Sequence, residues 1–125
     1  MAHANPEGGN VVGGSAAISE SGNKLDVTQH SNRAVIDWQR FDIDVDEHTQ
    51  FHQPSSSAIA LNRVKSADPS QILGKLTANG NVVLSNPSGV FFSSNAVVDV
   101  NGLVATSADI STSAFMVGSN NFNIP

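Results

Sequence analysis

Short runs of apolar residues, separated by small polar ones, dominate this chain, and helix-like spacing is rare. The runs are rich in β-branched residues and end at clusters of Gly, Asn, Ser or Pro, which is the pattern of strands joined by tight turns. We therefore predict an all-β protein with little helix. The predicted strands are Ala16–Ser19, Lys24–Gln29, Ala34–Trp38, Thr49–His52, Ala58–Val64, Val82–Leu84, Val90–Phe92, Ala96–Val100 and Leu103–Thr106.

The strongest helical candidate is the segment Pro69–Ala78. Its proline suits the first turn of a helix, and Ile72, Leu73 and Leu76 follow helical spacing. Gly74 interrupts the segment and lowers its helix propensity. Two interpretations remain open, one or two helical turns or a short strand with a bend.

Two all-β layouts suit the predicted strands: a sandwich of antiparallel hairpins and a solenoid of parallel coils. The sequence Asn-Gly-Asn-Val-Val at 79–83 recurs as Asn-Gly-Leu-Val-Ala at 101–105, an offset of 22 residues. This offset is typical of one coil of a solenoid, in which equivalent corners stack and amide side chains form ladders. The repeat favours the solenoid, although Asn-Gly also favours hairpin turns and keeps the sandwich open.

Strand alternation near the end of the chain predicts which side chains face the interior. Between Ala96 and Asn101 the even-numbered residues are all apolar, so we expect them to point inward and the odd-numbered residues outward. Phe91 and Phe92 are adjacent, so one of them must leave the interior. We expect that ring to pack under a flanking strand or loop, and the alternative is a surface contact for a partner protein.

The composition of the chain excludes several classes of function. The chain has 125 residues, enough for one domain, and only 14% are charged, against about 25% in a typical soluble domain. Asn and Ser make up 30 residues, and the absence of Cys excludes a disulfide scaffold and a thiolate metal site. The net charge of -5 argues against binding to nucleic acid or to an anionic membrane.

The sequence offers little for catalysis, because it has no Gly-x-Ser-x-Gly elbow and no Gly-rich phosphate loop, and we expect no cofactor. The histidines are His3, His30, His48 and His52, and none belongs to a helical metal-binding array. His48 and His52 would share a strand face with Gln50, which leaves metal binding as the alternative to two solvated histidines.

The acidic segment 42–47 is a second candidate for metal binding. If this segment is extended, Asp42, Asp44 and Asp46 project together and offer the hard oxygens that Ca²⁺ requires. The segment lacks the glycine-supported loop of known calcium motifs. The alternative is a solvated edge whose like charges block aggregation.

The first four residues resemble the remnant of an export signal. Ala2-His3-Ala4 has the small-x-small form that precedes a signal-peptidase cut. We therefore expect Met1 to be an added start codon, residues 1–4 to be a signal remnant, and residues 5–125 to be the mature domain. The alternative is an accidental Ala-x-Ala sequence.

One turn and several segments in the same order resemble a known family. Asn86-Pro87-Ser88-Gly89-Val90 is similar to the Asn-Pro-Asn-Gly-(Ile/Val) signature of the filamentous haemagglutinin-like secretion domain of two-partner secretion exoproteins. The resemblance covers nearly the whole chain, from about Val11 to Ile110. The further segments that resemble the family are 11–29, 33–41, 53–64, 68–74 and 101–105.

The resemblance implies a right-handed parallel β-helix with an N-terminal cap and short flanking strands. It also implies export through the periplasm of a Gram-negative bacterium to the surface or the medium. The partner would be an outer-membrane β-barrel transporter with polypeptide-transport-associated domains. The family's exoproteins are adhesins, haemolysins and contact-dependent toxins, and the secretion domain itself is non-catalytic.

The resemblance also selects candidate site residues and shows two departures. Asn86, Pro87, Ser88 and Gly89 would form the signature turn, which either contacts the transporter or only shapes a β-helix corner. Asn62 and Arg63, from the family's Asn-Arg-Val segment, are secondary candidates. Ser88 stands where the family usually has Asn, and the family domain is generally longer. We therefore expect either a truncated or a minimal version of the domain, whose last coil has an open apolar end and self-associates end to end.

Two other functions remain as alternatives. The first is an adhesive module that binds a host glycan or protein through the β-helix flank or the acidic segment 42–46. The second is a polysaccharide-cleaving β-helix enzyme. The chain has only six Lys and Arg residues to neutralise an acidic sugar, so the sequence supports the enzyme least.

Overall fold

The computed structural model describes residues 5–116, which form strands and one short helix. The predicted signal remnant at residues 1–4 lies outside the described residues. The elements are β1 (Asn10–Gly13), β2 (Ala16–Ser21), β3 (Lys24–Gln29), β4 (Arg33–Trp38), β5 (His48–His52), β6 (Ile59–Val64), β7 (Ser70–Ile72), β8 (Lys75–Ala78), β9 (Asn81–Ser85), β10 (Val90–Phe92), β11 (Val97–Asp99), β12 (Gly102–Thr106) and α1 (Thr112–Met116).

The strands wind into a solenoid of parallel coils. Coil 1 contains β3 and β4, coil 2 contains β5 to β7, coil 3 contains β8 to β10, and coil 4 contains β11 and β12. We call the sheet of order β1-β4-β6-β9-β12 the first face, the sheet of order β11-β8-β5-β3-β2 the second face, and the β10-β7 pair the third face. Every pairing between coils is parallel, which confirms the all-β solenoid and rules out the sandwich.

Two antiparallel strands close the N-terminal end of the solenoid. β1 pairs with β4 and β2 pairs with β3, so each covers the outer edge of coil 1. Val11, Ala16 and Ile18 pack against the core from this side. The expected N-terminal cap is therefore confirmed, although its first strand was not predicted because the apolar run in β1 is only two residues long.

The apolar interior is continuous through the coils. Its largest side chains include Trp38 and Phe41, whose rings meet edge to face with centroids 5.6 Å apart. The even-numbered residues from Ala96 to Val100 pack against this core, while Val97 and Asp99 are exposed, as the alternation predicts. A row of short strands thus supplies one shared core that no single coil could form alone.

A second, smaller apolar cluster lies outside the solenoid on the first face. Val35, Leu61 and Val83 occupy one column of that face and are buried under Ile110 and Phe115. α1 therefore packs back across the sheet against β4 and β1. No helix among residues 5–116 is long and apolar enough to span a membrane.

The segment Pro69–Ala78 is not helical. It forms β7 and β8 with a bend at Gly74 between them, which agrees with the strand interpretation. A Cβ atom at Gly74 would collide with the carbonyl oxygens of Asp44 and Glu47. The bend therefore requires a residue without a side chain, because the preceding coil's backbone passes directly against it.

The strand pairing gives the internal repeat two different offsets. The offset of 22 residues holds where Val97 pairs with Lys75, but Gly102 pairs with Asn81, an offset of 21. The corner of coil 4 is therefore one residue shorter than the corner of coil 3.

We expect Gly74→Ala to destabilise the protein by about 3 kcal/mol, because the added methyl group meets immobile backbone atoms. Gly22→Ala is the matched control. Gly22 has a φ of +60° and open space around it, so alanine there should cost only the strain of a left-handed backbone, about 1 kcal/mol. Urea unfolding of both variants measures the difference. Equal losses would contradict the close-approach explanation.

Candidate functional site

The signature turn connects β9 to β10 at a corner of coil 3. The Gly89 N–H donates to the Asn86 carbonyl oxygen at 2.8 Å, and the Ser88 N–H donates to Asn86 Oδ1 at 2.9 Å. Gly89 has a φ of +102°, a conformation that side chains disfavour. Asn, Pro and Gly are thus each used for a distinct part of the turn, as their conformational preferences predict.

The side chain of Asn86 is fully buried and joins neighbouring coils. Its Nδ2 donates to the Asp68 carbonyl oxygen at 3.2 Å and to Ser70 Oγ at 3.0 Å, both in the corresponding corner of coil 2. Its backbone N–H donates to the Thr106 carbonyl oxygen of coil 4 at 3.0 Å. Asn86 therefore holds three successive coils together at this corner.

The other three residues of the turn are accessible. Pro87 is exposed, and Ser88 and Gly89 are half-buried. Ser88 Oγ donates to the Ser66 carbonyl oxygen at 3.1 Å, so the residue that departs from the family pattern still contacts coil 2. A cavity of about 520 Å³ opens beside the turn. It is lined by Arg63, Val64, Lys65, Ser66, Ser85, Pro87, Ser107 and Asp109.

Asn62 is fully buried in the solenoid core. Its Oδ1 accepts a hydrogen bond from Trp38 Nε1 at 2.9 Å, and its Nδ2 donates to the Val83 carbonyl oxygen at 3.3 Å. Asn62 thus satisfies the indole of coil 1 and bonds to coil 3 from its position in coil 2. A partner protein has no access to this side chain in the folded domain.

Arg63 is held by a bidentate ion pair on the first face. Its Nε donates to Asp37 Oδ1 at 2.7 Å and its Nη2 to Asp37 Oδ2 at 3.1 Å. Its Nη1 donates to the Ile110 carbonyl oxygen at 3.2 Å, which fixes the chain segment leading into α1. The structure therefore brings Arg63 and Pro87 to one cavity and keeps Asn62 and Asn86 inside.

A second set of buried amides, which the sequence did not single out, occupies the corner between the second and first faces. Gln53 Nε2 donates to Gln29 Oε1 at 3.1 Å and to the Asn81 carbonyl oxygen at 3.0 Å. Gln53 Oε1 accepts from the Gly80 N–H at 2.8 Å. The general expectation of hydrogen-bonded amides between coils is thus confirmed. Its signal in the sequence was the recurrence of Asn-Gly at 79–80 and 101–102, whereas nothing in the sequence marked the glutamines.

The two strand histidines do not form a metal site. Both lie on the outer side of the second face, where His48 Nε2 is 2.7 Å from Thr77 Oγ1 and His52 Nε2 is 2.7 Å from Asp26 Oδ1. Four residues of strand span about 13 Å, which is too far for two ligands of one ion. The hydrogen bond from His52 lowers the pKa of Asp26, and the hydrogen bond and charge of Lys24 add to this effect against the opposing effect of burial.

The acidic segment does not gather its carboxylates. The chain turns at 45–46, so the premise of a continuous extended segment is wrong. Asp42 Oδ1 accepts the Gln71 N–H at 2.8 Å, and Asp44 Oδ1 accepts the Val45 N–H at 2.8 Å. Among residues 5–116 no group of three His, Asp or Glu side chains is placed to hold a metal ion, so the candidate Asp42, Asp44 and Asp46 has no structural support.

The two adjacent phenylalanines point to opposite sides of β10, as the alternation predicts. Phe92 packs against the core, whereas Phe91 is 56% exposed. No strand or loop among residues 5–116 covers Phe91, so the expected packing of the outer ring under a flanking element is not found in that part of the chain. The side chain is left at the surface of the third face.

Burial, together with the charges of Lys24 and Lys75, holds the pKa of His48 below its ordinary value of 6.5. The unfolded chain then binds a proton more readily than the folded chain, so the free energy of unfolding falls as the pH drops through this ordinary value. We expect His48→Gln to lose less stability than the wild type between about pH 7.5 and about pH 5.5. Urea unfolding across this range tests it, with the exposed His30→Gln as control. An unchanged pH profile in His48→Gln would refute the assignment.

Comparisons with known proteins agree with this architecture. The family model of the TPS secretion domain matches residues 2–124. A heme/hemopexin-binding protein of Haemophilus influenzae strain Rd is 45% identical over 105 residues, which is 84% of this chain and 12% of the relative. A second heme/hemopexin-binding protein of Haemophilus influenzae is 42% identical over 106 residues, 84% of this chain and 11% of the relative.

The fold matches a solved secretion domain as well. The crystal structure of the HMW1 secretion domain from Haemophilus influenzae has a TM-score of 0.85 and 35% sequence identity to this chain, covering 90% of this chain and 30% of that one. This chain spans about a tenth of the length of the two heme/hemopexin-binding proteins. The chain belongs to the TPS secretion domain family, the secretion domain of two-partner secretion exoproteins.

Proposed function

We propose that this domain directs the export of a larger exoprotein and then starts the folding of its β-helix outside the cell. The observation that carries the proposal is the asymmetry of the two ends. β1 and β2 close one end, whereas β10, β11 and β12 each have a strand neighbour on one side only within residues 5–116. Each added coil buries its apolar side on the previous one, so a capped set of coils is a template for further coils.

The partner in this proposal is an outer-membrane β-barrel transporter whose polypeptide-transport-associated domains meet the chain in the periplasm. The exported protein then reaches the medium or the surface of a Gram-negative cell as an adhesin, haemolysin or toxin, and the full-length protein contacts a host receptor. A chain without cysteine suits threading through a pore, because no disulfide has to be opened. The domain acts by binding and folding, with no catalytic step.

The signature turn has two separable roles in this proposal. Asn86 acts through folding, because its buried amide joins coil 2 to coil 3. Pro87 and Ser88 belong to the accessible part of the turn, and Pro87 lines the same cavity as Arg63, so the two turn residues offer the contact for the transporter. Asn62, like Asn86, acts through folding in this proposal, since its side chain forms hydrogen bonds only inside the solenoid.

We expect Asn86→Ala to destabilise the purified domain by about 2 kcal/mol, because it leaves buried partners at the corner unsatisfied. Pro87→Ala should leave stability nearly unchanged and weaken transporter binding and secretion. Urea unfolding, binding to the transporter's periplasmic domains and secretion beside the transporter are measured for both. The control is Pro54→Ala, which changes an exposed proline at another corner.

Each role has its own contrary outcome. Full stability of Asn86→Ala with loss of transporter binding would make Asn86 a recognition residue. Wild-type binding and secretion by Pro87→Ala would exclude the exposed turn as the contact.

The open end also supports the end-to-end association expected from the sequence. Val90, Phe92, Val98, Val100 and Leu103 of the last coils are only partly buried. Unpaired strand edges beside apolar residues promote pairing with another chain. Since β1 and β2 block the other end, we expect pairing to stop at a tail-to-tail dimer. Sedimentation velocity should show a concentration-dependent dimer, and a strictly monomeric profile at high concentration would contradict it.

A further inference from the structure

Phe91 is a large apolar side chain left in solvent on the third face. In the parallel register of β10 and β7 its direct neighbour is Gln71. The bridge between Ile43 and Ile72 continues this pairing to coil 1 and sets Asp42 beside Gln71. Asp42, Gln71 and Phe91 therefore form one column across three coils, which we call the Phe91 column.

The column has the dimensions of a small binding site. Its three positions are separated by two strand spacings, or about 10 Å in total. A shallow cavity of about 220 Å³ lies at its Asp42 end, lined by Asp42, Ile43, Asp44, Gln71 and Leu73. Gln71 is exposed, and its side-chain amide has no hydrogen-bond partner among residues 5–116. An apolar ring, a free amide and a carboxylate thus form one row, and the cavity borders the amide and the carboxylate but not the ring.

The charges around the column select the class of ligand. Burial raises the pKa of Asp42, and the negative charges of Asp68 and Glu7 add to this effect. Arg40 is the nearby cation, with its Nε 3.8 Å from Asp42 Oδ2. A face with this balance disfavours sulfated, phosphorylated or sialylated ligands, because their charge would be repelled.

A neutral sugar fits the remaining chemistry. Sugar rings have an apolar C–H face that packs on aromatic side chains, and their hydroxyl groups both donate and accept hydrogen bonds. Gln71 supplies both kinds of partner, and Asp42 supplies acceptors. The cavity beside Gln71 and Asp42 is partly apolar and lined by a few polar groups, as small-ligand sites are, and Phe91 adds an exposed apolar surface next to Gln71.

We propose that the Phe91 column binds a neutral oligosaccharide, with one ring stacked on Phe91 and the next ring hydrogen-bonded to Gln71 and Asp42. This binding goes beyond export and does not depend on the transporter. It gives the flank of the solenoid a direct contact with a glycan while the domain remains at the cell surface.

The experiment is a titration of the isotope-labelled domain with lactose, cellobiose and N-acetyllactosamine, followed by backbone amide shifts. We expect at least one neutral sugar to give saturable shifts at Gln71 and Phe91. Phe91→Ala should weaken binding about tenfold, because the stacking surface is lost. Gln71→Ala should weaken it as well.

The matched control is Val97→Ala, which trims another exposed apolar residue, 47% exposed, on the second face. It should bind sugar as the wild type does. Absence of saturable shifts with every neutral sugar would overturn the proposal, as would equal binding by Phe91→Ala. Tighter binding of an oligolysine peptide at the same amides would overturn the saccharide assignment and indicate a basic protein partner.

Discussion

Hydrogen bonding at the corners is the constraint on which this solenoid depends. Parallel strands satisfy one another's backbone groups along each face, but the backbone groups that are buried at the corners between faces need other partners. Gln53 supplies them at one corner and Asn86 at another, each bonding to neighbouring coils. Within residues 5–116 no buried side-chain nitrogen or oxygen lacks a partner. The coils can therefore stack only where the buried polar groups at their corners find hydrogen-bond partners in the neighbouring coil.

The low charge of the chain follows from this geometry. Equivalent positions of successive coils lie about 4.8 Å apart, so a charge repeated at every coil would face a like charge. Neutral amides and hydroxyls avoid that repulsion and can still bond from coil to coil. Asp37 and Arg63, which occupy one column of the first face, carry opposite charges and pair with each other.

Much of the fold could be predicted because its signals are local. Alternation along a strand and turn residues at its ends depend on a few neighbouring positions, and Lys24–Gln29 and Val90–Phe92 are observed with the predicted bounds. The order of family-like segments added the solenoid topology. The repeat was visible only late in the chain, because the first-face offsets shrink from 26 between Arg33 and Ile59 to 21 between Asn81 and Gly102.

The candidate site was harder to predict, because exposure depends on pairing between distant residues. Asn62 and Asn86 resembled recognition residues in the sequence, yet Trp38 and Ser70 make them internal. Phe91 resembled a packed residue, yet nothing in its own strand shows whether a later segment returns to cover it. Local sequence predicts the turn and the face, while the long-range contact decides between core and surface.

The position of α1 has a consequence for the order of events during synthesis. Phe115 covers Val35, Leu61 and Val83, which belong to three coils that all precede it in the chain. A chain made from its N-terminus therefore has its coils available before their outer apolar column can be sealed. Until Phe115 has been synthesised, the apolar column of the first face is exposed to solvent. Phe115 is then held over the column by its cation–π contact with Arg33 and by the hydrogen bond from Arg33 Nη1 to its carbonyl oxygen. The helix thus covers this column of the first face only after the coils beneath it have been made.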